Sequence, residues 1–360
     1  MSPDPLPEVP AAPDPVAATL SDELDPAVED AIGTLMEAVG DPEEADLIRD
    51  IVRTAALLGR DDTERLDIKI VDAAVAEMRK AFAVFAPYRD VPKVTIFGSA
   101  RTAMGSPLYD QARRIAAEVA DAGWMVITGA GPGIMQAGME GAGRDRSIGV
   151  NIRLPFEQDA NDVITGDPKL VTMKYFFTRK LMLIKESAGF VALPGGFGTI
   201  DETMELLTLQ QTGKAVPAPV ILLDEPGGTY WDGWARFVTD ELITGGYIHA
   251  DDLRLADRTD DVAVATGLIT GFYRRYHSIR WVGTRLVIRT TTPVSDEDLE
   301  DLNARFGQLC SKGQIERATP FSPERHDDDH LDLPRLACTY DVQQMAGLHH
   351  LVRAINATGG

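Results

Sequence analysis

Cysteine is almost missing from this chain: two occur in 360 residues, Cys310 and Cys338, both in the C-terminal quarter. So few, so far apart, they exclude a disulfide framework and a Cys-x-x-Cys metal or redox site, and they read as small core residues. Long apolar runs are absent too. No stretch approaches the roughly twenty residues of a membrane helix, and Met1 to Ala18 is proline-rich and acidic, with no basic or apolar signal region. A cytoplasmic protein that meets no membrane is the expectation. Positive charge is scarce: the formal net charge is −21, and residues 1–60 hold 14 Asp and Glu against 3 Arg and no Lys. Binding a phosphate backbone needs a clustered basic surface, so nucleic acid is excluded as a partner, and the acidic excess reads as a solvated tail and helix surface. No Ser/His/Asp set or nucleophilic cysteine is apparent. The run His326-Asp327-Asp328-Asp329-His330 could hold a metal, but it lies in a polar loop. We expect neither metal nor cofactor.

What is present is a strong alternation of patterns. Residues 1–25, rich in Pro, Ala and acids and without periodicity, read as a disordered leader. Residues 26–90 become helical, with Ile32, Leu35, Met36 and Val39 on one face, then Leu47, Ile51, Ala55 and Leu58, then Ile68, Val71, Ala74, Met78 and Phe82. About three helices packed on the main domain are predicted. Near Pro92 the period shortens. Val94 to Gly98 reads as a buried strand, and further apolar strands recur at 124–128, 148–152, 170–173, 189–193 and 220–223, with helical runs between most of them. Residues 91–275 therefore predict an α/β fold, a doubly wound parallel sheet of Rossmann-like type, whose ligands bind at the carboxyl ends of the strands. Residues 276–360 read as a small α+β appendage: a strand at 281–289, a helix over 296–309 capped by Ser295, a strand at 336–340 and a helix over 342–355.

The strand ends carry the chemistry. The most informative stretch is Leu193-Pro194-Gly195-Gly196-Phe197-Gly198-Thr199-Ile200-Asp201-Glu202. Three glycines let the backbone turn tightly and approach a ligand, and the amides opening the next helix point at whatever anion sits there. Glu202 would stand beside that anion, an unfavourable place for a carboxylate unless it holds a sugar hydroxyl or stabilises developing positive charge. The competing explanation is local: Thr199 and Glu202 have the spacing of a helix-capping box. Capping accounts for those two residues and not for the glycines.

Three more clusters sit at strand ends. Gly98-Ser99-Ala100-Arg101 offers a hydroxyl and a guanidinium to a phosphate, although Arg101 alone reads better as a surface or interface arginine. Thr128-Gly129-Ala130-Gly131-Pro132-Gly133 approximates a dinucleotide fingerprint, but its third glycine is misplaced and the following strand ends in Asn151-Ile152-Arg153 without an acidic ribose ligand. A nicotinamide cofactor is therefore not expected. Phe176-Phe177-Thr178-Arg179-Lys180 opens an amphipathic helix with two cations at the positive end of its dipole, which an anionic partner would explain.

Together, Phe177-x-Arg179-Lys180, Pro194-Gly195-Gly196-x-Gly198-Thr199-x-x-Glu202 and Gly129-x-Gly131-x-Gly133-Ile134-Met135 resemble the LOG-type nucleoside 5′-monophosphate phosphoribohydrolases, a family long mislabelled as lysine decarboxylases. The resemblance covers about residues 90–270. The Gly98 to Arg101 opening and Leu154-Pro155-Phe156-Glu157-Gln158 look more like the bacterial nucleotide 5′-monophosphate nucleosidases than the short plant-type enzymes. It implies hydrolysis of an N-glycosidic bond to free base and ribose 5-phosphate, with an AMP-like purine nucleotide as substrate. Arg179 and Glu202 would be the catalytic pair, Gly195 to Thr199 would hold the phosphate, and Ser99, Arg101, Gly131, Gly133, Glu157 and Lys180 would complete the substrate site. A homodimer or larger assembly is implied as well. The plant-type motif places Met-His ahead of its Arg-Lys, where this chain has Phe176-Phe177-Thr178, so cytokinin specificity does not carry over. Two other readings compete: a non-catalytic nucleotide or cofactor carrier on the same fold, and a decarboxylase, which would need a lysine Schiff base with pyridoxal phosphate that the sequence does not offer.

Overall fold

The computed structural model describes residues 22–40, 42, 44–154 and 160–359. The chain divides into two units after Val75, so the extension read as residues 26–90 runs across the division. In the first unit, helix α1 (Pro26–Val39) starts with a proline whose missing N–H is not needed there, and Asp25 accepts the Ala27 N–H at 2.8 Å. Helix α2 (Ala45–Arg60) is tied to α1 by the Arg53–Glu29 ion pair. Helix α3 spans Arg65–Phe85. From Ala76 onward it belongs to the second unit, where Ala81 and Phe85 are fully buried in the core of the sheet.

That sheet has seven parallel strands: β1 (Lys93–Phe97), β2 (Met125–Thr128), β3 (Ser147–Ile152), β4 (Leu170–Met173), β5 (Gly189–Ala192), β6 (Val220–Leu223) and β7 (Asp257–Thr259). Helices α4 (Pro107–Asp121), α5 (Ile134–Ala142), α6 (Phe176–Lys185), α7 (Phe197–Gln211), α8 (Tyr230–Phe237) and α9 (Val262–Gly271) cover both faces. Burial explains the sequence pattern: every residue of β1, β2, β5 and β6 is buried, so these strands are apolar runs rather than alternations. The doubly wound α/β expectation is met. The short edge strand β7, polar and half-exposed, gave no such signal.

Strand order is β4-β3-β2-β1-β5-β6-β7. The chain winds outward from β1 to β4 and then returns to lay β5 against the other side of β1, in the register Val94 opposite Gly189 to Phe97 opposite Ala192. The carboxyl ends of β1 and β5 thus flank the point where the winding reverses, where neighbouring loops splay apart and leave a crevice.

Beyond Tyr276 a second, antiparallel sheet forms from β8 (Tyr276–Val282), β9 (Arg285–Thr290), β10 (Cys310–Ala318) and β11 (Arg335–Tyr340) in the order β10-β11-β9-β8, with α10 (Asp296–Phe306), the short α11 (Ser322–His326) and α12 (Met345–Ala357). Ser295 caps α10 as anticipated, accepting the Asp298 N–H at 3.1 Å. The strand read over 281–289 is instead a hairpin, reversed at Gly283 with φ 61°. Strand β10 escaped notice because Ile315 is its one fully buried residue, leaving no apolar alternation to read. In this part of the chain a buried cluster joins Arg289 and Arg335 to Glu324, at 2.8 and 2.6 Å, and Arg289 to Asp329 at 2.6 Å. Arg280 holds Asp327 as well as Asp329. Two of the three acids of the 326–330 run, Asp327 and Asp329, are therefore held by arginines. Among the described residues, no group of three or more His, Cys, Asp or Glu could hold a metal ion, and no helix is long and apolar enough to cross a membrane.

Candidate active site

Three of the four loops singled out from the sequence interlock at the β1/β5 crevice. Ser99, just after β1, accepts the Ile134 N–H at 3.0 Å through its carbonyl and donates its own N–H to the Pro194 carbonyl at 3.4 Å. Residue Gly133 makes that approach possible: its φ is 66°, and a Cβ there would lie 2.4 Å from the Ser99 carbonyl oxygen. Gly195 is equally constrained, since a Cβ would meet Thr199 Oγ1 at 2.2 Å. Its carbonyl accepts the Tyr230 hydroxyl at 2.7 Å, which fixes the loop from the side of α8. Ser99 Oγ accepts the Arg101 N–H at 3.1 Å, while the Arg101 side chain is exposed at the rim.

Helix α7 begins at Phe197, earlier than a capping box at Thr199 and Glu202 would place it. Gly196 is its N-cap and makes no side-chain cap bond, so Thr199 and Glu202 both lie inside the helix. The capping-box explanation is thereby removed: neither residue is at a cap position. Buried Thr199 is packed under the loop, and its carbonyl accepts Thr203 Oγ1 at 2.7 Å. The amides of Phe197, Gly198 and Thr199 occupy the first turn, where an α-helix has no internal acceptor for them, at the positive end of a 15-residue dipole.

Gly196 and Gly198 differ from the other two. A Cβ at either would meet nothing within 4 Å, and neither has a positive φ. Packing within the chain does not require glycine there, whereas close approach of a ligand to the backbone would. A glycine inside a helix weakens it by about 0.5–1 kcal/mol relative to alanine. Gly198→Ala is therefore expected to leave the melting temperature unchanged or raised while weakening binding of ribose 5-phosphate at least tenfold. Thermal melts and calorimetric titration check this, and undiminished affinity would show that the amides of α7 do not hold the phosphate.

Arg179 and Glu202 come together from α6 and α7, Arg179 Nη1 lying 3.6 Å from Glu202 Oε1. The guanidinium is nearly buried and is aimed by its Nε–H, which donates to the Val150 carbonyl of β3 at 3.0 Å. It passes directly against Gly129, where a Cβ would stand 2.0 Å from Nη2. The fingerprint-like turn after β2 thus makes room for an arginine. Its middle residue, Ala130, sits in the left-handed region at φ 59°, a costly conformation for a non-glycine residue, and Asn161 holds it by donating to the carbonyls of Ala130 and Gly131 at 2.9 and 3.1 Å. Nothing in the local sequence pointed to Asn161 or to Tyr230.

Burial pushes the Glu202 carboxyl above the usual carboxylate range, against the opposing pull of Arg179 and Lys180. Lys180 has its own partners, Asp201 and Glu205, each at 2.8 Å. Burial alone would lower its pKa, but those two carboxylates raise it, so Lys180 is a firmly held cation. The cations opening α6 are thus met by acids of α7 within the same chain. A buried lysine with a lowered pKa does exist, Lys93, whose Nζ donates to the Val91 carbonyl at 2.9 Å; it opens β1, at the end of the sheet opposite the crevice. Residues 155–159, and with them Glu157, lie outside the described residues.

The model of the family described as possible lysine decarboxylase matches residues 133–268. A probable cytokinin riboside 5′-monophosphate phosphoribohydrolase of Arabidopsis thaliana, LOG6, is 33% identical over 32% of this chain; the chain spans 54% of that relative's length. A cytokinin riboside 5′-monophosphate phosphoribohydrolase of Mycobacterium marinum is 26% identical over 44% of this chain and 84% of its own. Among solved structures, the molybdenum cofactor carrier protein of Chlamydomonas reinhardtii matches 49% of this chain and 94% of its own, at 21% identity and a TM-score of 0.34. Over residues 133–268, which include the Pro-Gly-Gly loop and both Arg179 and Glu202, the chain matches that family model, and the named relatives to which it is similar are LOG-type phosphoribohydrolases.

Proposed function

We propose that the chain hydrolyses the N-glycosidic bond of a nucleoside 5′-monophosphate, an AMP-like purine nucleotide, to free base and ribose 5-phosphate. The observation that carries this reading is the largely buried Arg179–Glu202 pair set beside the open N-terminus of α7. As the base departs, C1′ of the ribose gains oxocarbenium character, and a carboxylate close to it stabilises that charge or orients the attacking water, as in glycoside hydrolysis. Glu202 has this role. Arg179 holds the carboxylate in place and favours its ionised form; the α7 amides with Gly196 and Gly198 take the phosphate, with Arg101 at the rim. Phosphate binding away from C1′ then supplies orientation for the step at C1′.

The relatives' names specify cytokinin nucleotides. Phe176-Phe177-Thr178 ahead of Arg179 favours a different base pocket here, which is why a common purine nucleotide is proposed. The same exposed aromatics, with Phe197 97% exposed at the head of α7, support a homo-oligomer that covers them. Light scattering on the purified protein tests the assembly.

Metal-free protein is incubated with AMP, GMP, IMP, CMP, UMP and a cytokinin riboside monophosphate, and free base is followed by chromatography. Release of base together with ribose 5-phosphate is expected, fastest from a purine nucleotide. No release from any of them, with nucleotide still bound as tightly by Glu202→Gln as by the parent, would replace the hydrolase with a nucleotide carrier.

A further inference from the structure

Helix α6 carries Arg179 and Lys180 in its opening turns and lacks a cap of its own: its N-cap residue, Tyr175, makes no side-chain cap bond. Two cations near the positive end of a helix dipole disfavour the helix unless an anion stands there. Beside the acids of α7 that pair with those cations, a further anion stands at the helix start itself: Glu77, from α3. Its Oε1 accepts the Lys174 N–H at 2.8 Å, and its Oε2 accepts the Thr178 hydroxyl at 2.8 Å. Thr178 is fully buried and immediately precedes Arg179, and its hydroxyl also lies 3.0 Å from the Tyr175 carbonyl. One carboxylate thus grips α6 on both sides of its first residue.

We propose that Glu77 is a positioning residue for the reaction, fixing the rotation and advance of α6 and with them the Arg179 guanidinium against Glu202. This rests on the hydrolase reading above. The geometry is demanding on the Arg179 side: Gly129 leaves the guanidinium no lateral room, and Val150 offers it a single carbonyl. A small turn of α6 would therefore move the guanidinium relative to both the Val150 carbonyl and Glu202. Displacements of about 1 Å at such a site cost up to about a hundredfold in rate. Neither Glu77 bond runs to α7, whose first turn would hold the phosphate.

The test compares the parent with Glu77→Ala, Glu77→Gln and Thr178→Val, following base release from the preferred nucleotide, ribose 5-phosphate binding and thermal melting. Glu77→Ala is expected to lower kcat about ten- to a hundredfold with ribose 5-phosphate affinity within threefold of the parent. Thr178→Val, which keeps the packing and removes the hydroxyl, is expected to lower kcat in the same direction. Glu77→Gln is expected to retain most of the rate, because an amide can accept from Lys174 through its oxygen and donate to Thr178 Oγ1, whose proton then goes to Tyr175. A kcat for Glu77→Ala within twofold of an active parent would overturn the positioning role alone. So would equal losses in kcat and in ribose 5-phosphate affinity, the mark of general loosening. A parent that releases base from no nucleotide would overturn the hydrolase reading instead, a separate result visible before any variant is made.

Discussion

Glu202→Gln is expected to lower kcat by about 10²- to 10³-fold while nucleotide affinity stays within a few-fold of the parent, the magnitude seen when one preorganised electrostatic group is removed. The split follows from the proposed role: a charge that acts on C1′ only as the base departs contributes little to the ground state, so its loss falls on kcat. Single-turnover rates and equilibrium titration check it, and unchanged turnover would reduce Glu202 to a buried helix residue. The same substitution has a second expected effect, of opposite sense, on stability. Burial raises the carboxyl's pKa in the folded chain, so the folded state holds its proton more tightly than the unfolded one. The stability this contributes is fully present below the unfolded pKa and is lost as pH rises through the folded value. At neutral pH the parent therefore bears the cost of a buried carboxylate that Glu202→Gln does not, and the variant melts higher. Its advantage shrinks as pH falls through the folded pKa. Turnover by the parent should run the other way, rising with pH as the carboxylate ionises.

Arg179→Ala is expected to be damaging on both counts, lowering kcat by about 10²- to 10³-fold through loss of the group that aligns and charges Glu202. Removing the guanidinium leaves the Val150 carbonyl without that donor, a loss of about 1–3 kcal/mol for a buried acceptor. It also removes the nearest of the cations that oppose burial at Glu202, so the carboxyl is pushed further up and the acidic limb of the rate profile moves to higher pH. Arg179→Lys retains a charge but not the planar fork that reaches Val150 and Glu202 together, and should recover only part of the rate. A profile whose acidic limb does not move in Arg179→Ala would show that the two residues are not electrically coupled.

Much of this was legible before any coordinates. Parallel strands buried on both faces must be continuous apolar runs, so β1, β2, β5 and β6 announced themselves, and glycines clustered at the carboxyl ends of β1, β2 and β5 marked the crevice. Where burial is one-sided and thin, the signal vanished: β10 has one buried side chain, and the β8–β9 turn is set by a single glycine. The capping-box spacing at Thr199 and Glu202 put the start of α7 too late because Gly-Phe-Gly has poor helix propensity, whereas the structure has the first turn already formed over those residues.

The sequence by itself determined the kind of sheet, which loops face the crevice, and that an anion with chemistry beside it was to be sought there, because these follow from burial period and backbone freedom within a few residues. Only the tertiary structure decided who meets whom. Gly129 yields space to Arg179, Asp201 and Glu205 neutralise Lys180, and Glu77 reaches Thr178 across 101 residues of chain. Such pairings are selected by the summed packing of whole elements, and a lone glutamate on a half-exposed helix carries no local mark of the partner that packing will bring to it.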